Sequence, residues 1–346
     1  MVFWKHQVSR PFSDHTYATK HGVNLDLRVW PAEGVDGNGP APWILYTHGG
    51  AFAAGKHYLI NAWVIPGLRP RGYHVVSVGY RLLPHASLRD MVDDCEDAFK
   101  WCRDNLAGVV GQGKVDLDKY AVAGESAGGT LATILGHVLS PPPRAVVDIY
   151  GAVDFTDKRP RSPADIQPLT EGWSEEEVAK AIAKADPAEA ITVCPFQFDI
   201  PVEYIREQWG VPEYEYTQRQ VFQYEIKKYL RTYDLLWNVM CRINPEDSDE
   251  VRDRKIKQLS PMHMLEGKTT YPPTFFLHGG GDPVVPQYLA ERMAAKLKAM
   301  GVPVGEAYEP GEIHEFDNKY TGPEVDGWDK YIVPCLDFVD KHVKGA

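Results

Sequence analysis

Basic residues are fewer than acidic residues in this sequence. It carries 37 lysine and arginine residues against 48 aspartate and glutamate residues, which gives a formal net charge of −11 at pH 7. A protein that binds nucleic acid needs a clustered positive surface to face the phosphates. The acidic balance therefore excludes nucleic acid as an expected partner.

Cysteines are few, and their spacing lacks any pattern typical of a metal site or of a secreted protein. The sequence contains no C-x-x-C pair and no cysteine–histidine spacing of the kind that binds zinc, so we expect no metal and no disulfide framework. Free thiols buried in a reducing compartment are the simpler interpretation. The residues concerned are Cys95, Cys102, Cys194, Cys241 and Cys335.

Long uncharged apolar runs are also absent. No stretch reaches the length that is needed to span a bilayer, and the segment from Met1 to Val8 lacks the apolar core of a signal peptide. The last residues, Lys344 to Ala346, carry no retention or lipidation signal. We therefore expect a cytoplasmic protein without a membrane span.

Short apolar runs alternate with helical stretches through most of the chain. The apolar runs are nearly continuous, which is typical of strands buried on both faces of a sheet. These strands are predicted over 43–46, 74–78, 120–123, 145–149 and 274–277, with helices over 88–105, 126–139, 287–300 and 328–343. A last strand is predicted over 304–308, ahead of the Pro310-Gly311 turn. Asn24 to Trp30 alternates apolar and polar residues, as a half-exposed edge strand does. The chain is therefore predicted to be an α/β protein with a mostly parallel central sheet and helices on both faces.

One long region interrupts this alternation. From Phe155 to Leu259 the sequence predicts helices and no buried strand. The amphipathic stretch 218–240 within it is predicted to be helical, with Tyr229, Tyr233 and Trp237 on one face that favours packing. We interpret residues 155–259 as a helical cap inserted into the chain, and residues 1–154 and 260–346 as the core that carries the sheet.

The motif Gly124-Glu125-Ser126-Ala127-Gly128 stands between a predicted strand and a predicted helix. A sharp strand-to-helix turn of this kind exposes a serine hydroxyl above the sheet, and the flanking small residues let the chains pass without a clash. The start of the following helix adds a partial positive charge and free N–H groups. We therefore predict that Ser126 is a nucleophile.

A second motif, His48-Gly49-Gly50-Ala51, follows an earlier buried strand. Acyl transfer places negative charge on the carbonyl oxygen of the substrate, and preorganised backbone N–H groups stabilise it. The predicted oxyanion hole consists of Gly49, Gly50, Ala51 and Ala127, with the N–H groups of the last three as donors. We interpret His48 as a structural residue that supports this loop.

A serine nucleophile needs a base, and the base needs a carboxylate that orients it. In folds with this kind of serine turn, the chain order is serine, acid, histidine. Asp282 follows the predicted strand 274–277, and His314 follows the last predicted strand. Both fall where loops meet at the carboxyl ends of parallel strands. We predict Asp282 as the acid and His314 as the base; the alternatives, His278, His263 and His137, lie at less favourable positions.

Taken together, these motifs resemble the hormone-sensitive-lipase-like branch of the α/β-hydrolases. The resemblance extends to Gly79-Tyr80-Arg81-Leu82-Leu83-Pro84 and covers roughly 24–149 and 274–343. It implies an α/β-hydrolase fold with Ser126, Asp282 and His314 as the catalytic triad. Ala51 stands where the family often has a third glycine, and the insertion 155–259 is unusually long, so the resemblance implies no particular substrate.

The leading functional hypothesis is a serine hydrolase that cleaves a carboxylic ester. A second is the same triad acting on a thioester, lactone or amide, or cyclising a biosynthetic intermediate. A ligand receptor on a disabled hydrolase is third, and it is disfavoured because all three triad positions are present. The chemistry needs no metal or cofactor. A homodimer is left open.

The predicted cap is rich in aromatic residues, and this bears on the substrate. The aromatic side chains favour a small-molecule substrate with an apolar or aromatic group. The simpler alternative is that they form the core of the cap itself. The residues are Trp173, Phe196, Phe198, Tyr204, Trp209, Phe222 and Trp237.

Overall fold

The computed structural model describes residues 8–34, 39–158 and 165–345. The start of the chain up to residue 7, for which the sequence predicts no signal peptide, and the final alanine lie outside the described residues. Within the described ranges, no helix combines the length and the apolar character that crossing a membrane requires.

A central sheet of eight strands organises the fold. Its order is β1-β2-β4-β3-β5-β6-β7-β8, and β3 to β8 run parallel, whereas β1 and β2 are antiparallel to their neighbours. The strands are β1 Ser13–Lys20, β2 Val23–Trp30, β3 Ala41–Thr47, β4 His74–Val78, β5 Val115–Glu125, β6 Ala145–Ile149, β7 Thr274–Gly279 and β8 Val304–Glu309. The prediction of a mostly parallel central sheet is confirmed.

Helices lie between the strands and in one long connection. They are α1 Val64–Leu68, α2 Leu88–Val110, α3 Ala127–Val138, α4 Glu175–Lys184, α5 Val202–Gln208, α6 Gln218–Thr232, α7 Leu236–Met240, α8 Asp249–Leu259, α9 Gln287–Ala299, α10 Trp328–Tyr331 and α11 Val333–Lys344. Helices α4 to α8 all fall between β6 and β7, in the region that the sequence predicts to be helical.

The core lies on both faces of the sheet, and β3 shows how the sequence divides between them. Trp43 and Leu45 belong to one buried cluster, which includes residues of α2, α3 and α9. Ile44 and Tyr46 belong to a second cluster, which includes residues of α1 and α11. Because successive side chains of a strand point to opposite faces, a fully apolar strand needs helices on both sides.

The edge-strand prediction for residues 24–30 is wrong. β1 pairs with β2 and forms the edge of the sheet, while the second half of β2 is fully buried. β1 is hard to predict because Tyr17 is its one buried side chain, so its apolar alternation is weak. Each of the five cysteines is buried and free, as predicted.

Two predicted helices are each divided in the structure. The stretch 218–240 breaks after α6, where Asp234 adopts a left-handed backbone with φ 55°, a conformation that aspartate tolerates better than most residues. The stretch 328–343 breaks at Ile332, and Pro334 stands in the first turn of α11. Proline has no N–H and clashes with the preceding turn, so it starts a new helix instead of continuing the old one.

Candidate active site

Ser126 lies at a sharp turn between β5 and α3. Its backbone has φ 53° and ψ −118°, a strained conformation for a residue other than glycine, and its N–H donates to the Ile149 carbonyl at 2.8 Å. A Cβ atom on Gly124 would lie 2.3 Å from the Gly128 carbonyl oxygen, and one on Gly128 would lie 2.0 Å from the Thr47 carbonyl oxygen. Both flanking positions therefore require glycine, and the turn holds Ser126 at the wall of a cavity.

The structure brings together the three side chains that the sequence predicts as a triad. His314 lies in the loop after β8 with its Nε2 atom 2.9 Å from the Ser126 Oγ atom. Its Nδ1 atom lies 2.6 Å from the Asp282 Oδ2 atom, in the loop after β7. Proton transfer from a serine requires this order of contacts. His137 and His263, two of the alternative bases, bond to other partners.

Asp282 is held as a carboxylate by its hydrogen bonds. Its Oδ1 atom accepts the N–H groups of Val284 at 2.8 Å and Val285 at 3.0 Å. Burial acts to raise the pKa of Asp282, but hydrogen bonds from His278 and His314 outweigh it and hold the pKa well below its ordinary value. The acid is therefore ionised throughout the neutral range and can hold the His314 Nδ1–H.

His278 has a structural part in this arrangement that sequence reasoning did not assign to it. Its Nε2–H donates to the Val285 carbonyl at 2.8 Å and lies 3.4 Å from the Asp282 Oδ2 atom. The alternative that made His278 the base does not fit, because its Nε2 atom is occupied there. The sequence signal that could have indicated this role is the position of His278 at the end of β7, four residues before Asp282.

Tyr150 packs against the His314 imidazole and was also missed. The ring centroids of Tyr150 and His314 are 4.6 Å apart, and the Tyr150 hydroxyl donates to the Asp317 Oδ1 atom at 2.8 Å. Asn61 donates to both the Tyr150 hydroxyl and the Asp317 carboxylate. A tyrosine directly after a buried strand gives no sequence signal of this contact, which depends on tertiary structure.

The predicted oxyanion loop is close to Ser126, but its amides are not equivalent. The Gly49 N–H donates to the Glu125 Oε1 atom at 2.7 Å, so it is not available to a substrate oxygen. Gly50 and Ala51 have φ of 125° and 54°, and Ala127 is the first residue of α3, whose N–H has no partner within the helix. In the part of the chain that the structure describes, the N–H groups of these three residues have no acceptor, and Ala51 and Ala127 border the same cavity as Ser126.

Two buried groups fix the position of this loop. Glu125 joins it to the serine turn through the Gly49 N–H, and burial raises the pKa of Glu125 to about 8. His48 stacks on Tyr80 with ring centroids 4.3 Å apart, and the Tyr80 hydroxyl donates to the His48 carbonyl at 2.7 Å. The position of His48 agrees with the structural role that the sequence suggests.

A cavity of about 530 Å³ opens beside Ser126. Its apolar wall combines residues of the sheet core with residues of the helical connection between β6 and β7, and charged residues stand around it. The apolar lining includes Ala51, Phe52, Ala127, Phe155, Leu230, Leu236, Trp237, Val284, Val285 and Leu289. A pocket of this size and character suits a small organic group.

Trp237 has a different role from the one its sequence pattern suggests. It stacks on Phe155 with ring centroids 4.6 Å apart and meets Phe52 edge-on at 6.5 Å, and it lines the cavity. Tyr229 and Tyr233, the other two residues of the predicted stripe, pack against each other at 4.5 Å, and Tyr233 is exposed. The single-stripe interpretation fails because the helix ends between Tyr229 and Trp237.

Comparison with known proteins agrees with this fold. A family model described as the alpha/beta hydrolase fold matches residues 44–200, and a model of the prolyl oligopeptidase family matches residues 216–344. An esterase of Thermogutta terrifontis has a similar structure, with a TM-score of 0.57 and 18% sequence identity over 95% of this chain and 91% of that one. That likeness confirms the predicted fold class.

Two curated relatives match different shares of this chain. A non-reducing polyketide synthase of Preussia isomera is 28% identical over 313 residues, which is 87% of this chain and 13% of the synthase. An ethyl acetate hydrolase of Pseudomonas putida is 32% identical over 153 residues, which is 43% of this chain and 47% of the hydrolase. This chain thus spans less than half the length of either relative. Its sheet, its serine turn and these similarities show an α/β-hydrolase fold, and the similarities support the esterase branch of that superfamily.

Proposed function

We propose that this protein is a serine hydrolase that cleaves a carboxylic ester through an acyl-enzyme intermediate. The observation that carries the proposal is the continuous line of hydrogen bonds from the Ser126 hydroxyl through His314 to Asp282. A serine hydroxyl is a weak nucleophile unless a base removes its proton during attack. An imidazole oriented by a buried carboxylate is the arrangement that does this at neutral pH.

The first half of the reaction forms the acyl-enzyme. His314 Nε2 accepts the Ser126 proton as Oγ attacks the ester carbonyl, and a tetrahedral intermediate forms with negative charge on the former carbonyl oxygen. The N–H groups of Gly50, Ala51 and Ala127 stabilise that charge, together with the positive end of the α3 dipole. Asp282 holds the His314 Nδ1–H and stabilises the imidazolium. His314 then gives its proton to the departing alkoxide as the C–O bond breaks.

The second half of the reaction releases the acid. A water molecule takes the place of the alcohol, and His314 accepts one of its protons as the water oxygen attacks the acyl carbonyl. The same N–H groups stabilise the second oxyanion. Collapse of this intermediate breaks the bond to Ser126 Oγ, which regains its proton from His314.

The cavity beside Ser126 supports a substrate with an apolar or aromatic group. Phe52, Phe155 and Trp237 form an aromatic wall there, and aromatic rings contribute large contact areas to a bound group. We further propose that residues 155–259 act as a cap, because Phe155, Leu230 and Trp237 come from that segment and face the cavity that Ser126 borders.

A second candidate, thioester hydrolysis, is favoured by one comparison. The similarity to the Preussia isomera polyketide synthase extends over 87% of this chain, which fits a hydrolase that acts on a biosynthetic acyl intermediate. The triad chemistry is the same, with a thiolate in place of the alkoxide as leaving group. Comparing kcat/KM for phenyl butyrate and S-phenyl thiobutyrate separates the two candidates, because the acyl groups are identical.

A fluorophosphonate probe tests whether a serine is activated at all. The hydroxyl oxygen of an activated serine attacks the phosphorus atom and displaces fluoride, which adds the phosphonyl group to the protein. We expect a single adduct on Ser126, located by peptide mass spectrometry, and none on heat-denatured protein. Native protein that stays unlabelled, or that carries the adduct on a different serine, would contradict the proposed mechanism.

Trp237 provides a test of the proposed acyl pocket. Replacing it with leucine removes the ring that stacks on Phe155, so the preference for 4-nitrophenyl benzoate over 4-nitrophenyl acetate should fall by about tenfold, as the loss of one aromatic contact predicts. The ratio of the two kcat/KM values measures this. Tyr233→Ala is the matched control, because Tyr233 lies outside the cavity lining. Equal ratios in the two variants would exclude Trp237 from the pocket.

A further inference from the structure

Two lysines from different parts of the chain meet at one aromatic ring. Lys56 follows the oxyanion loop, and Lys227 lies on α6. Their Nζ atoms are 5.3 Å and 5.4 Å from the centre of the Phe196 ring. Lys56 also lies 5.2 Å from the Trp209 ring, and Lys227 lies 4.7 Å from the Tyr224 ring. The core and the helical connection thus bring two positive charges together in an aromatic surrounding.

Both ammonium groups are buried without a polar partner. Lys56 and Lys227 are each 8% exposed, and among the residues that the structure describes neither makes a hydrogen bond or an ion pair. An ammonium group has three N–H donors, and burying it without acceptors is costly. Contact with aromatic faces offsets only part of that cost. The pair therefore offers unused donors to an oxygen-bearing group.

The charged groups that act on the pair include residues that adjoin the predicted triad in the chain. Glu315 directly follows His314 and attracts both lysines electrostatically, and Glu125, which precedes Ser126, attracts Lys56 when it is ionised. Within the described ranges neither lysine forms an ion pair with these carboxylates, so the lysine charges are not neutralised by direct contact. Burial lowers the pKa of each lysine to about 8, which leaves both mainly protonated at neutral pH.

We propose that Lys56 and Lys227 form a cationic subsite near Glu315, the chain neighbour of His314, that binds the carboxylate of an acidic ester substrate. The inference rests on the proposed function, since it assigns a substrate class to the same site. A carboxylate oxygen supplies the acceptor that each ammonium group lacks, and the Phe196, Trp209 and Tyr224 rings suit a flat hydrocarbon group that carries it. The cavity lined by Trp237 then takes the other, neutral half of the ester.

Matched ester pairs test the subsite. One pair places the charge on the alcohol half, 4-butyryloxybenzoate against 4-butyryloxybenzamide, and the other places it on the acyl half, mono-4-nitrophenyl glutarate against its carboxamide. In one of the pairs, the wild-type kcat/KM for the acid should exceed that for the amide by about tenfold or more, as one charge-assisted hydrogen bond predicts. Lys56→Met and Lys227→Met should each lower that ratio by about tenfold. Lys184→Met, at an exposed position of α4, should leave it unchanged.

The pH dependence of the same ratio distinguishes charge recognition from a packing role. The preference for the acid should fall as the pH rises through about 8, where the lysines lose their protons, while the amide serves as the internal reference. A role in packing alone would leave the ratio flat. The charged and titratable groups that face the lysines are Glu125, Cys194 and Glu315 for Lys56, and Cys194, Lys228, Arg231 and Glu315 for Lys227.

Failure of the subsite and failure of the proposed function give different results. If neutral esters are hydrolysed and Ser126 is labelled, but neither acid is preferred or the methionine variants keep the preference, the subsite is excluded and the hydrolase stands. If no ester is hydrolysed, the proposed function fails. Calorimetric titration of 4-hydroxybenzoate into Ser126→Ala then decides the subsite: binding that both methionine changes abolish supports it, and absence of binding excludes it.

Discussion

Ser126→Ala is expected to lower kcat/KM for ester hydrolysis on the order of 10⁵- to 10⁶-fold, as the loss of a triad serine does elsewhere. The change removes the atom that attacks the carbonyl, and no neighbouring hydroxyl can take its place on the same strained turn. Alanine keeps the Cβ atom and accepts the φ of 53° as well as serine does. The fold should therefore persist, with a free energy of unfolding within about 1 kcal/mol of the wild-type value. Initial rates over a wide range of enzyme concentration measure the loss.

A substitution at a second serine distinguishes a loss of catalysis from a loss of stability. Ser174 caps α4, and its side chain accepts the Glu177 N–H. Ser174→Ala should lower the free energy of unfolding by about 1 kcal/mol, the usual effect of losing an N-cap, and leave kcat/KM unchanged. Ser126→Ala should instead lower kcat/KM and leave the free energy of unfolding nearly unchanged. Retention of wild-type turnover by Ser126→Ala would refute the proposed nucleophile.

The serine turn could be predicted from the sequence because a short motif marks it, although the backbone that Gly128 must avoid belongs to Thr47 on β3. Gly124 and Gly128 are required by backbone atoms that lie within 2.0 to 2.3 Å of where a Cβ would stand, so the motif encodes the geometry directly. Asp282 and His314 were predictable for a different reason. Each lies in the loop after a parallel strand, β7 or β8, and loops at the carboxyl ends of such strands meet at one edge of the sheet.

Other features depend on contacts that no local pattern encodes. The Gly49 N–H is occupied by Glu125, which lies 76 positions away in the sequence, so the number of free oxyanion donors could not be read from the glycines alone. Lys56 and Lys227 meet only because α6 packs over the loop after β3. The break at Asp234 also escapes prediction, since the stretch contains neither glycine nor proline.

In the helical connection between β6 and β7, composition alone does not predict which aromatic residues line a pocket. Its aromatic residues are compatible with a pocket and, more simply, with a self-contained core, and the structure divides them between the two. Trp237 lines the cavity, whereas Trp173 and Phe222 pack against each other at 4.8 Å. Trp209 belongs to a separate buried cluster with Tyr58. The proposed boundaries of the cap at 155 and 259 remain a prediction.

Asp282→Asn is expected to lower kcat on the order of 10⁴-fold while leaving the overall structure in place. The carboxylate accepts the His314 Nδ1–H at 2.6 Å and so leaves Nε2 free to take the serine proton. An asparagine can offer an N–H to Nδ1 instead, which places the imidazole proton on Nε2. That tautomer cannot act as a base toward Ser126. Steady-state kinetics at neutral pH measure the effect, and a loss below about tenfold would assign the orienting role to another group.

The stability of the same variant has a defined dependence on pH. The pKa of Asp282 is held below its ordinary value in the folded protein, so ionisation of this carboxyl stabilises the fold at pH values above the unfolded-state pKa. That contribution is lost as the pH falls toward the folded-state pKa. The difference in the free energy of unfolding between wild type and Asp282→Asn should therefore narrow on acidification. A difference that stays constant from neutral to acidic pH would show that the hydrogen bonds do not favour the ionised form.

The double variant tests whether the two residues act as one unit. If Asp282 serves only to orient and stabilise His314 for its exchange with Ser126, it has no function once the nucleophile is gone. Adding Asp282→Asn to Ser126→Ala should then produce no further loss of kcat, although each change alone is severe. Losses that multiply would mean that Asp282 acts on the substrate independently of the serine, and the proposed line of proton transfer would have to be abandoned.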